Sequence, residues 1–379
     1  MKLQCTQENL NTALSLVAHI ASRNATLPIL NNVLIQADDG RIKLSATNLE
    51  LGITSVIRGK VEQEGAYTVQ SRLLADYVAL LPREKVSLEL EGGAHDLLRV
   101  RCAHFATKIK GLVAAEFPLI PVVDQRVKYT LPLAALRDAM SQVIFAVTPS
   151  ETRPELAGVL LHFSGDTLTL AATDSYRLAE RKVALPGPAV AGEQRLIVPA
   201  RTLQELLRVL GAVREGAELE AGPTVTVTVA ENQILFAVGG VELTSRLIAG
   251  QYPDYRQIIP QDANSRVTVS TAELTKAVKT ASLFARSGIY DISLEFIPSS
   301  GEVVVSSANS QLGENVARLP ASVSGTPGAI VLNYRYLLDG LASMGTDDVE
   351  FAVVDAASPC VLRPHGRDGH LYLIMPIKQ

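Results

Sequence analysis

The sequence predicts an α+β fold built from three structurally repeated domains. Its 379 residues are too many for one hydrophobic core and suffice for two or three domains. Two amphipathic helices and one β-hairpin recur three times in the same order, which indicates an internal repeat. Strand-like runs follow the second helix of each repeat. We therefore expect each domain to place its helices on one face of an antiparallel sheet.

The first repeated element is an amphipathic helix. Apolar residues recur at the i, i+3, i+4, i+7 spacing of one helix face, in the sets Leu10, Ala13, Leu14 and Val17; Leu136, Ala139, Met140 and Val143; and Leu274, Ala277, Val278 and Ala281. Thr6 before Asn9, and Thr271 before Leu274, predict side-chain caps at two of the helix starts.

A β-hairpin and a second helix follow in each copy. The hairpins are predicted at 33–48, 159–174 and 294–309, where a glycine turn separates runs that alternate between apolar and polar residues. The second helices are predicted at 69–81, 198–210 and 332–344. Arg72, Arg201 and Arg335 fall at the same place in these helices, a coincidence that is hard to obtain by chance.

Domain boundaries follow from a recurring aromatic residue or methionine before proline. These pairs are Phe117-Pro118, Tyr252-Pro253 and Met375-Pro376. Their spacing gives a unit of about 125 residues, which is a domain in its own right, since solenoid repeats run to about 20–50 residues. We expect domains at 1–122, 123–255 and 256–379.

Composition and motifs exclude several classes of function. The formal net charge is −4, so any DNA-binding role must concentrate positive charge locally. Cys5, Cys102 and Cys360 lie far apart without a CxxC pair, which predicts buried thiols and no zinc site. The sequence has no glycine-rich phosphate loop, no nucleophile elbow and no metal-binding histidine spacing, so no cofactor, metal or catalysis is expected.

Two further expectations concern one carboxylate and the location of the protein. Asp174 resembles a catalytic acid, but its repeat equivalents Asn48 and Asn309 cannot ionise, which favours a role in a turn or a hydrogen bond. The N-terminus lacks a secretory pattern, and no stretch approaches the roughly 18 apolar residues that span a bilayer. We expect a cytoplasmic protein without a membrane partner.

Five segments in order give the chain a family resemblance. They are TLPILNNVLI (26–35), ATNLEL (46–51), ATDSYRLA (172–179), QYPDYRQIIP (251–260) and LYLIMPI (371–377). Together with the threefold repeat, they resemble the bacterial beta sliding clamp, the DNA polymerase III beta subunit. The resemblance implies the DNA clamp fold: a head-to-tail homodimer forming a closed ring, with helices lining the inside and antiparallel sheets outside.

The resemblance also implies a function without chemistry. A clamp encircles duplex DNA without sequence specificity and tethers other proteins to it. The implied partners are the replicative DNA polymerase catalytic subunit, the clamp-loader complex, and other DNA polymerases, ligase and mismatch-repair proteins that carry clamp-binding peptides. An acidic protein can serve this role, because topological linkage retains it and only a modest positive field is needed inside the ring.

Three groups of residues carry over from the family by motif. The dimer interface takes Phe105, Leu283 and Phe284. The DNA-facing set is Arg23, Arg72, Arg137, Arg153, Arg201, Lys276, Lys279 and Arg335. The hydrophobic cleft for partner peptides, between domains 2 and 3, is formed by Leu156, Thr173, Ser175, Tyr176, Arg177, Leu178, Pro253, Gln257, Ile258, Asn333, Tyr336, Ala357, Pro359, Leu373, Ile374, Met375, Pro376 and Ile377.

Alternatives remain open for these residues and for the function. The segment LYLIMPI alternates like a half-buried final strand, so its side chains also fit a plain core. The chain departs from the commoner family pattern at Ser175-Tyr176, where Gly-His is frequent, at Gln257, where Arg is common, and at Lys378-Gln379. These departures bear on peptide preference. A repeat-built scaffold unrelated to DNA, or an enzyme with a site between domains, are the rival hypotheses.

Overall fold

The computed structural model describes residues 1–21, 27–92, 96–121, 123, 127–150, 152–186, 190–212 and 223–378. The chain divides into two compact units. Unit 1 combines Met1–Ala134 with Gln204–Leu247, and unit 2 combines Ala135–Leu203 with Ile248–Gln379. The middle third of the sequence thus contributes to both units. None of the helices in the described part of the chain has the length and apolar character needed to cross a bilayer.

Secondary structure follows the predicted repeat. The α-helices are α1 (Gln7–Val17), α2 (Ser71–Ala79), α3 (Leu133–Ser141), α4 (Ala200–Ala212), α5 (Thr271–Ser282) and α6 (Tyr334–Met344). The strands are β1 (Lys2–Thr6), β2 (Asn32–Asp38), β3 (Arg41–Thr47), β4 (Leu51–Ile57), β5 (Gly59–Gln63), β6 (Gly65–Gln70), β7 (Lys85–Glu91), β8 (Leu97–Cys102), β9 (Phe105–Val113), β10 (Val127–Pro132), β11 (Gly158–Gly165), β12 (Thr167–Thr173), β13 (Arg177–Ala184), β14 (Val190–Pro199), β15 (Thr224–Val229), β16 (Gln233–Val238), β17 (Val241–Arg246), β18 (Ser265–Ser270), β19 (Asp291–Ile297), β20 (Glu302–Asn309), β21 (Gly313–Pro320), β22 (Ser322–Gly325), β23 (Gly328–Asn333), β24 (Asp348–Val353), β25 (Cys360–Pro364) and β26 (His370–Ile374).

Unit 1 contains one antiparallel sheet of thirteen strands among its described residues. Their order is β10-β15-β16-β17-β4-β3-β2-β6-β9-β8-β7-β1-β5. Strand β17 of the second repeat pairs with β4 of the first repeat, and Leu243 lies opposite Ile53. Both side chains are buried. The junction of the first two repeats is therefore a continuous sheet, which buries the edge that each repeat alone would expose.

Unit 2 repeats this arrangement. Its larger described sheet has the order β14-β11-β12-β13-β26-β25-β24-β18-β22, and a second sheet has the order β21-β20-β19-β23. Strand β26, near the C-terminus, pairs with β13 of the second repeat, and Leu373 lies opposite Leu178. The end of the chain thereby joins the second and third repeats.

Most element predictions are confirmed. The three hairpins are β2/β3, β11/β12 and β19/β20. Thr6 caps α1 and accepts a hydrogen bond from the Asn9 amide. The prediction for Thr271 was wrong by one residue, because the side chain of Ser270 makes that cap and Thr271 is the first helical residue. The hydroxyls of Ser270 and Thr271 both fit the spacing expected of a helix cap. The backbone dihedral angles at the end of β18 decide which of the two residues caps the helix.

Buried positions agree with the predicted amphipathic faces. Leu10, Leu14 and Val17 of α1 are buried, as are Leu274 and Val278 of α5. All three cysteines are buried and unpaired, as predicted. The repeated arginine is the second residue of its helix in all three copies: Arg72 in α2, Arg201 in α4 and Arg335 in α6.

Candidate functional site

The ATDSYRL block of the second repeat forms a rigid turn between β12 and β13. The Thr173 hydroxyl donates to the Arg177 carbonyl (2.6 Å) and accepts from the Ser175 amide (3.2 Å). Asp174 Oδ1 accepts from the amides of Tyr176 (2.9 Å) and Arg177 (3.0 Å). Asp174 therefore holds a turn, as its asparagine equivalents predicted. Ser175 has a φ of 78°, and Tyr176 projects into solvent with 64% of its surface exposed.

Arg177 ties this turn to two distant segments. Its Nε donates to Asp174 Oδ2 (2.9 Å), its Nη1 to Asp339 Oδ2 (2.5 Å) and its Nη2 to the Phe145 carbonyl (2.8 Å). The guanidinium also lies 4.5 Å from the centre of the Tyr336 ring. A planar guanidinium suits such an arrangement, because it can donate to several groups at once and stack on a ring. Asp339 and Phe145 were absent from the sequence-derived set, and no local motif marks them.

The final strand supplies the floor of the candidate cleft. Leu373 and Ile374 are fully buried. Leu178 and Leu156 are buried as well. These four predicted cleft residues support the surface from beneath. Past the strand, the Met375 amide donates to the Tyr176 carbonyl (2.8 Å) and the Ile377 amide to the Val331 carbonyl (2.8 Å). Met375, Pro376 and Ile377 are half-buried.

The linker after the second repeat packs against this strand. Leu178, Leu373 and Tyr255 share one apolar cluster, with Met375 and Tyr252 packed against it. The Tyr255 hydroxyl donates to Glu180 Oε2 (2.6 Å), which anchors the linker to β13. Because this ring is buried, its hydroxyl needs such a partner.

The remaining linker residues of the predicted cleft lie nearer the surface. Pro253 is half-buried, and Ile258 is 43% exposed. Gln257 is exposed and donates to Asp254 Oδ2 (2.9 Å). The linker thus contributes one apolar side chain, Ile258, to the surface and keeps its amide side chain occupied locally.

The third repeat contributes the remaining predicted residues. Asn333 caps α6 through the Arg335 amide (2.9 Å), and the Tyr336 carbonyl accepts from the Tyr372 hydroxyl (2.9 Å). Exposed Ala357 and half-buried Pro359 lie in the connection between β24 and β25. Since Cys360 is paired with Ile374, this connection lies at the end of the sheet where Met375 leaves it.

Comparisons with known proteins agree along the whole chain. Family models of the DNA polymerase III beta subunit match residues 1–121 (N-terminal domain), 130–254 (central domain) and 256–378 (C-terminal domain). Curated beta sliding clamps from Synechococcus elongatus and Bacillus subtilis are 35% and 28% identical over 100% of this chain, covering 99% and 100% of their own lengths.

Solved structures give the same result. The Bacillus subtilis sliding clamp has a TM-score of 0.92 at 28% identity, covering 100% of this chain and 99% of that one. A Pseudomonas aeruginosa sliding clamp bound to griselimycin has a TM-score of 0.92 at 26% identity, covering 100% of both chains.

The chain belongs to the DNA polymerase III beta subunit family.

As a DNA polymerase III beta subunit, the protein has the three-domain clamp fold and the function of a sliding clamp. This function is that of a non-catalytic processivity subunit in DNA replication. The resemblance drawn from the five sequence segments is confirmed, and the scaffold and enzyme hypotheses are wrong.

Most predicted DNA-facing residues of the beta subunit are on helices. Arg72 and Arg201 are exposed near the starts of α2 and α4, and Lys276 and Lys279 are exposed on α5. Arg137 on α3 is 38% exposed in its side chain and lies beside Asp138.

Two other members of that set have side-chain partners within the protein. Arg335 stacks on Tyr290, with its guanidinium carbon 3.8 Å from the ring centre. Arg153 lies outside the α-helices and donates to Ser175 Oγ (3.3 Å), so it lies beside the turn between β12 and β13. The spacing of the repeat gave no signal for this contact. Arg23 is outside the described residues.

The predicted dimer residues lie near two strand edges. Phe105 and Leu283 are 46% and 71% exposed, and Phe284 is half-buried with its ring 4.0 Å from a Cβ built on Gly313. Within the described sheets, β21 is an outermost strand. Strand β9 pairs with β6 only over 111–113, so its start at Phe105 is paired on one side alone.

Proposed function

We propose that this beta subunit closes as a head-to-tail homodimer around duplex DNA and holds partner peptides in the cleft beside Arg177. The observation that carries the cleft assignment is the junction of β13 and β26. There a rigid turn, a buried apolar floor and three half-buried residues, Met375 to Ile377, meet at one edge. Apolar anchors in such preformed grooves dominate peptide affinity, and a methionine adapts to varied ligands.

The dimer contact follows from the two strand edges. The edge strand of a sheet has unpaired backbone N–H and C=O groups that can hydrogen-bond to a strand of another chain. Head-to-tail contacts between two copies give a ring when they close. The β9 edge carries Phe105 and Lys108, and β21 carries Glu314 and the 56% exposed Val316. Pairing of these edges between two copies would bury apolar side chains and bring opposite charges together. The three domains would fall at 1–122, 123–255 and 256–379, ranges that the family matches support.

Contact with DNA would be electrostatic and weak. Exposed Arg72, Arg201, Lys276 and Lys279 provide scattered positive charge on the helices of a protein whose net charge is −4. Few phosphate contacts give a shallow dependence on salt and low friction, while the closed ring provides retention. Arg153 and Arg335 already have partners within the protein, so we expect them to contribute less to DNA contact than the other four.

The partners would be proteins that work on DNA in the cytoplasm. We include the replicative polymerase catalytic subunit, the clamp loader, other polymerases, ligase and mismatch-repair proteins.

Arg177 would act by positioning the cleft, since three of its N–H groups already donate to protein oxygens. Met375→Ala should reduce peptide affinity about tenfold by removing an apolar anchor.

Retention on DNA tests the ring. The protein is loaded with its clamp-loader complex and ATP onto nicked circular or linear DNA, and then passed over a gel-filtration column at high salt. Retention on circles with loss from linear ends supports topological linkage. Equal, salt-sensitive binding to both forms contradicts it.

The dimer seam has its own variant. Leu283→Asp should weaken the dimer at least about thirtyfold, because a charge would be buried where an apolar contact is proposed. Sedimentation velocity measures the dissociation, and retention on circular DNA should disappear with it. Leu119→Asp is the matched control, since Leu119 is 95% exposed and lies away from both strand edges. A Leu283→Asp protein that remains dimeric would refute the seam.

A further inference from the structure

A second cavity adjoins the candidate cleft on the other side of the linker. It has a volume of about 540 Å³ and opens between the paired strands β11 and β14 and the segment 250–256. Leu160 and Ile197, which lie opposite each other in the strand pair, are 7% and 4% exposed and give the cavity an apolar wall. Its size suits one or two side chains of a bound peptide.

Two arginines and a histidine line the polar side. His162 is buried and lies opposite Arg195 in the register of β11 and β14. The His162 Nε2 is hydrogen-bonded to Glu193, and its Nδ1 lies 3.5 Å from Arg256 Nη2. Arg195 also donates to Glu193 (3.0 Å). One carboxylate, Glu193, thus serves both His162 and Arg195.

Arg256 is the second arginine that lines the cavity. It forms no ion pair within the described part of the chain, and its polar neighbours are the Tyr255 hydroxyl and His162 Nδ1. The carboxylate among the described lining residues is Asp254, which accepts from Gln257 (2.9 Å). The cavity therefore has an apolar wall and a guanidinium that forms no ion pair among the described residues.

The cavity and the candidate cleft have residues in common. Tyr252 and Tyr255 line the cavity and also belong to the apolar cluster of Leu178, Leu373 and Met375. Pro253, a predicted cleft residue, lines the cavity as well. A peptide bound in the cleft would therefore lie beside residues that also line the cavity.

We infer that this cavity is an accessory subsite that binds an acidic side chain flanking the apolar anchors of a partner peptide. The inference rests on the proposed peptide cleft. The methylene groups of a glutamate would lie on Leu160 and Ile197, and its carboxylate would accept a charge-assisted, bidentate hydrogen bond from Arg256. A glutamine of the same shape would leave the guanidinium without a counter-charge, so the subsite selects for acid.

Peptide binding to the intact protein tests the subsite. The probe is a fluorescent 15-residue peptide spanning the clamp-binding segment of the replicative polymerase catalytic subunit from the same genome. Each position flanking its apolar anchors is synthesised once as Glu and once as Gln. Fluorescence anisotropy then gives Kd for the wild type, Arg256→Gln, and Arg41→Gln, an exposed arginine on β3 that serves as the matched control.

We expect one position at which Glu binds the wild type roughly fivefold more tightly than Gln, with the preference lost in Arg256→Gln and kept in Arg41→Gln. Raising salt should reduce this preference. The inference is overturned when Gln peptides bind but no position prefers Glu, or when the preference survives in Arg256→Gln. Failure of every peptide to bind would instead refute the cleft itself, and the subsite with it.

Discussion

A single methyl group at Gly340 tests the packing of α6 against the final strand. A Cβ built on Gly340 would lie 2.3 Å from Cδ1 and Cε1 of the Tyr372 ring, well inside van der Waals contact. Tyr372 is fully buried, and its hydroxyl donates to the Tyr336 carbonyl (2.9 Å), so the ring cannot turn away without losing that bond. Gly340→Ala therefore forces either the helix or the strand to move.

Two opposing effects determine how much Gly340→Ala changes the free energy of unfolding. Alanine is favoured over glycine inside a helix by about 1 kcal/mol. Overpacking a core costs about 1–3 kcal/mol, and loss of the buried tyrosine hydrogen bond adds about 1 kcal/mol. The free energy of unfolding should therefore fall by about 1–3 kcal/mol. For a unit of this size that lowers the Tm by about 2–12 °C.

The control is the same substitution where there is space. A Cβ on Gly211, in α4, would meet nothing within 4 Å. Gly211→Ala should keep only the propensity gain and raise the Tm by about 1–3 °C. Both variants are measured by scanning calorimetry. In a Tyr372→Leu background the cost of Gly340→Ala should shrink, because the ring that it strikes is gone. A Gly340→Ala protein that is stabilised as much as Gly211→Ala would refute this packing.

Two other predictions concern titration and reactivity. Burial lowers the pKa of His370 to about 4, so this histidine stays neutral in the folded chain at a pH where it is protonated in the unfolded chain, whose pKa is about 6.5. The free energy of unfolding should therefore fall by about 2 kcal/mol between pH 7.5 and pH 5. Tm measured over this pH range should depend less on pH for His370→Gln than for the wild type. Burial also raises the pKa of Cys5 and Cys360 to about 12. A disulfide reagent at pH 8 should therefore react slowly with the native protein, whereas in guanidinium it should react readily with all three thiols. Stoichiometric reaction within seconds in the native state would contradict this burial.

Local patterns in the sequence predicted the elements, because hairpins and helix faces are encoded in neighbouring residues. The turn role of Asp174 was also predictable, since two asparagines hold its repeat positions. The Arg177 network was not predictable. Its partners Asp339 and Phe145 lie 162 and 32 residues away in sequence. Only the tertiary fold brings such groups together, and no periodicity records which carboxylate an arginine meets.

Burial within the final strand shows a second limit. Alternation along LYLIMPI predicts one exposed face, yet Leu373 and Ile374 are both fully buried. Both faces of β26 are covered, because helix α6 contacts one and the linker through Tyr255 covers the other. A period of two cannot distinguish a half-buried strand from one that a linker crosses.

The first and second junctions of the repeat share one backbone design. At the first junction, Asn48 Oδ1 accepts from the amides of Glu50 (3.1 Å) and Leu51 (2.8 Å), as Asp174 does at the second. Leu49 has the same φ of 78° as Ser175. The Arg246 amide donates to the Glu50 carbonyl (3.0 Å), which repeats the bond from Met375 to Tyr176. The sheet is thus joined in the same way twice.

Side chains alone make the two junctions different. Gly52 stands where Leu178 stands at the second junction, and Ile120 of the first linker lies 2.9 Å from a Cβ built on it. The side chain of Ile120 therefore occupies the place of a side chain at position 52, and a cavity of about 320 Å³ remains beside it, lined also by Leu119 and Arg246. Arg246 replaces Met375 at the rim and adds a charge that apolar anchors would have to desolvate. The repeat thus gives both junctions the same backbone, and the difference between them lies in the side chains: Gly52 and Arg246 at the first, Leu178 and Met375 at the second.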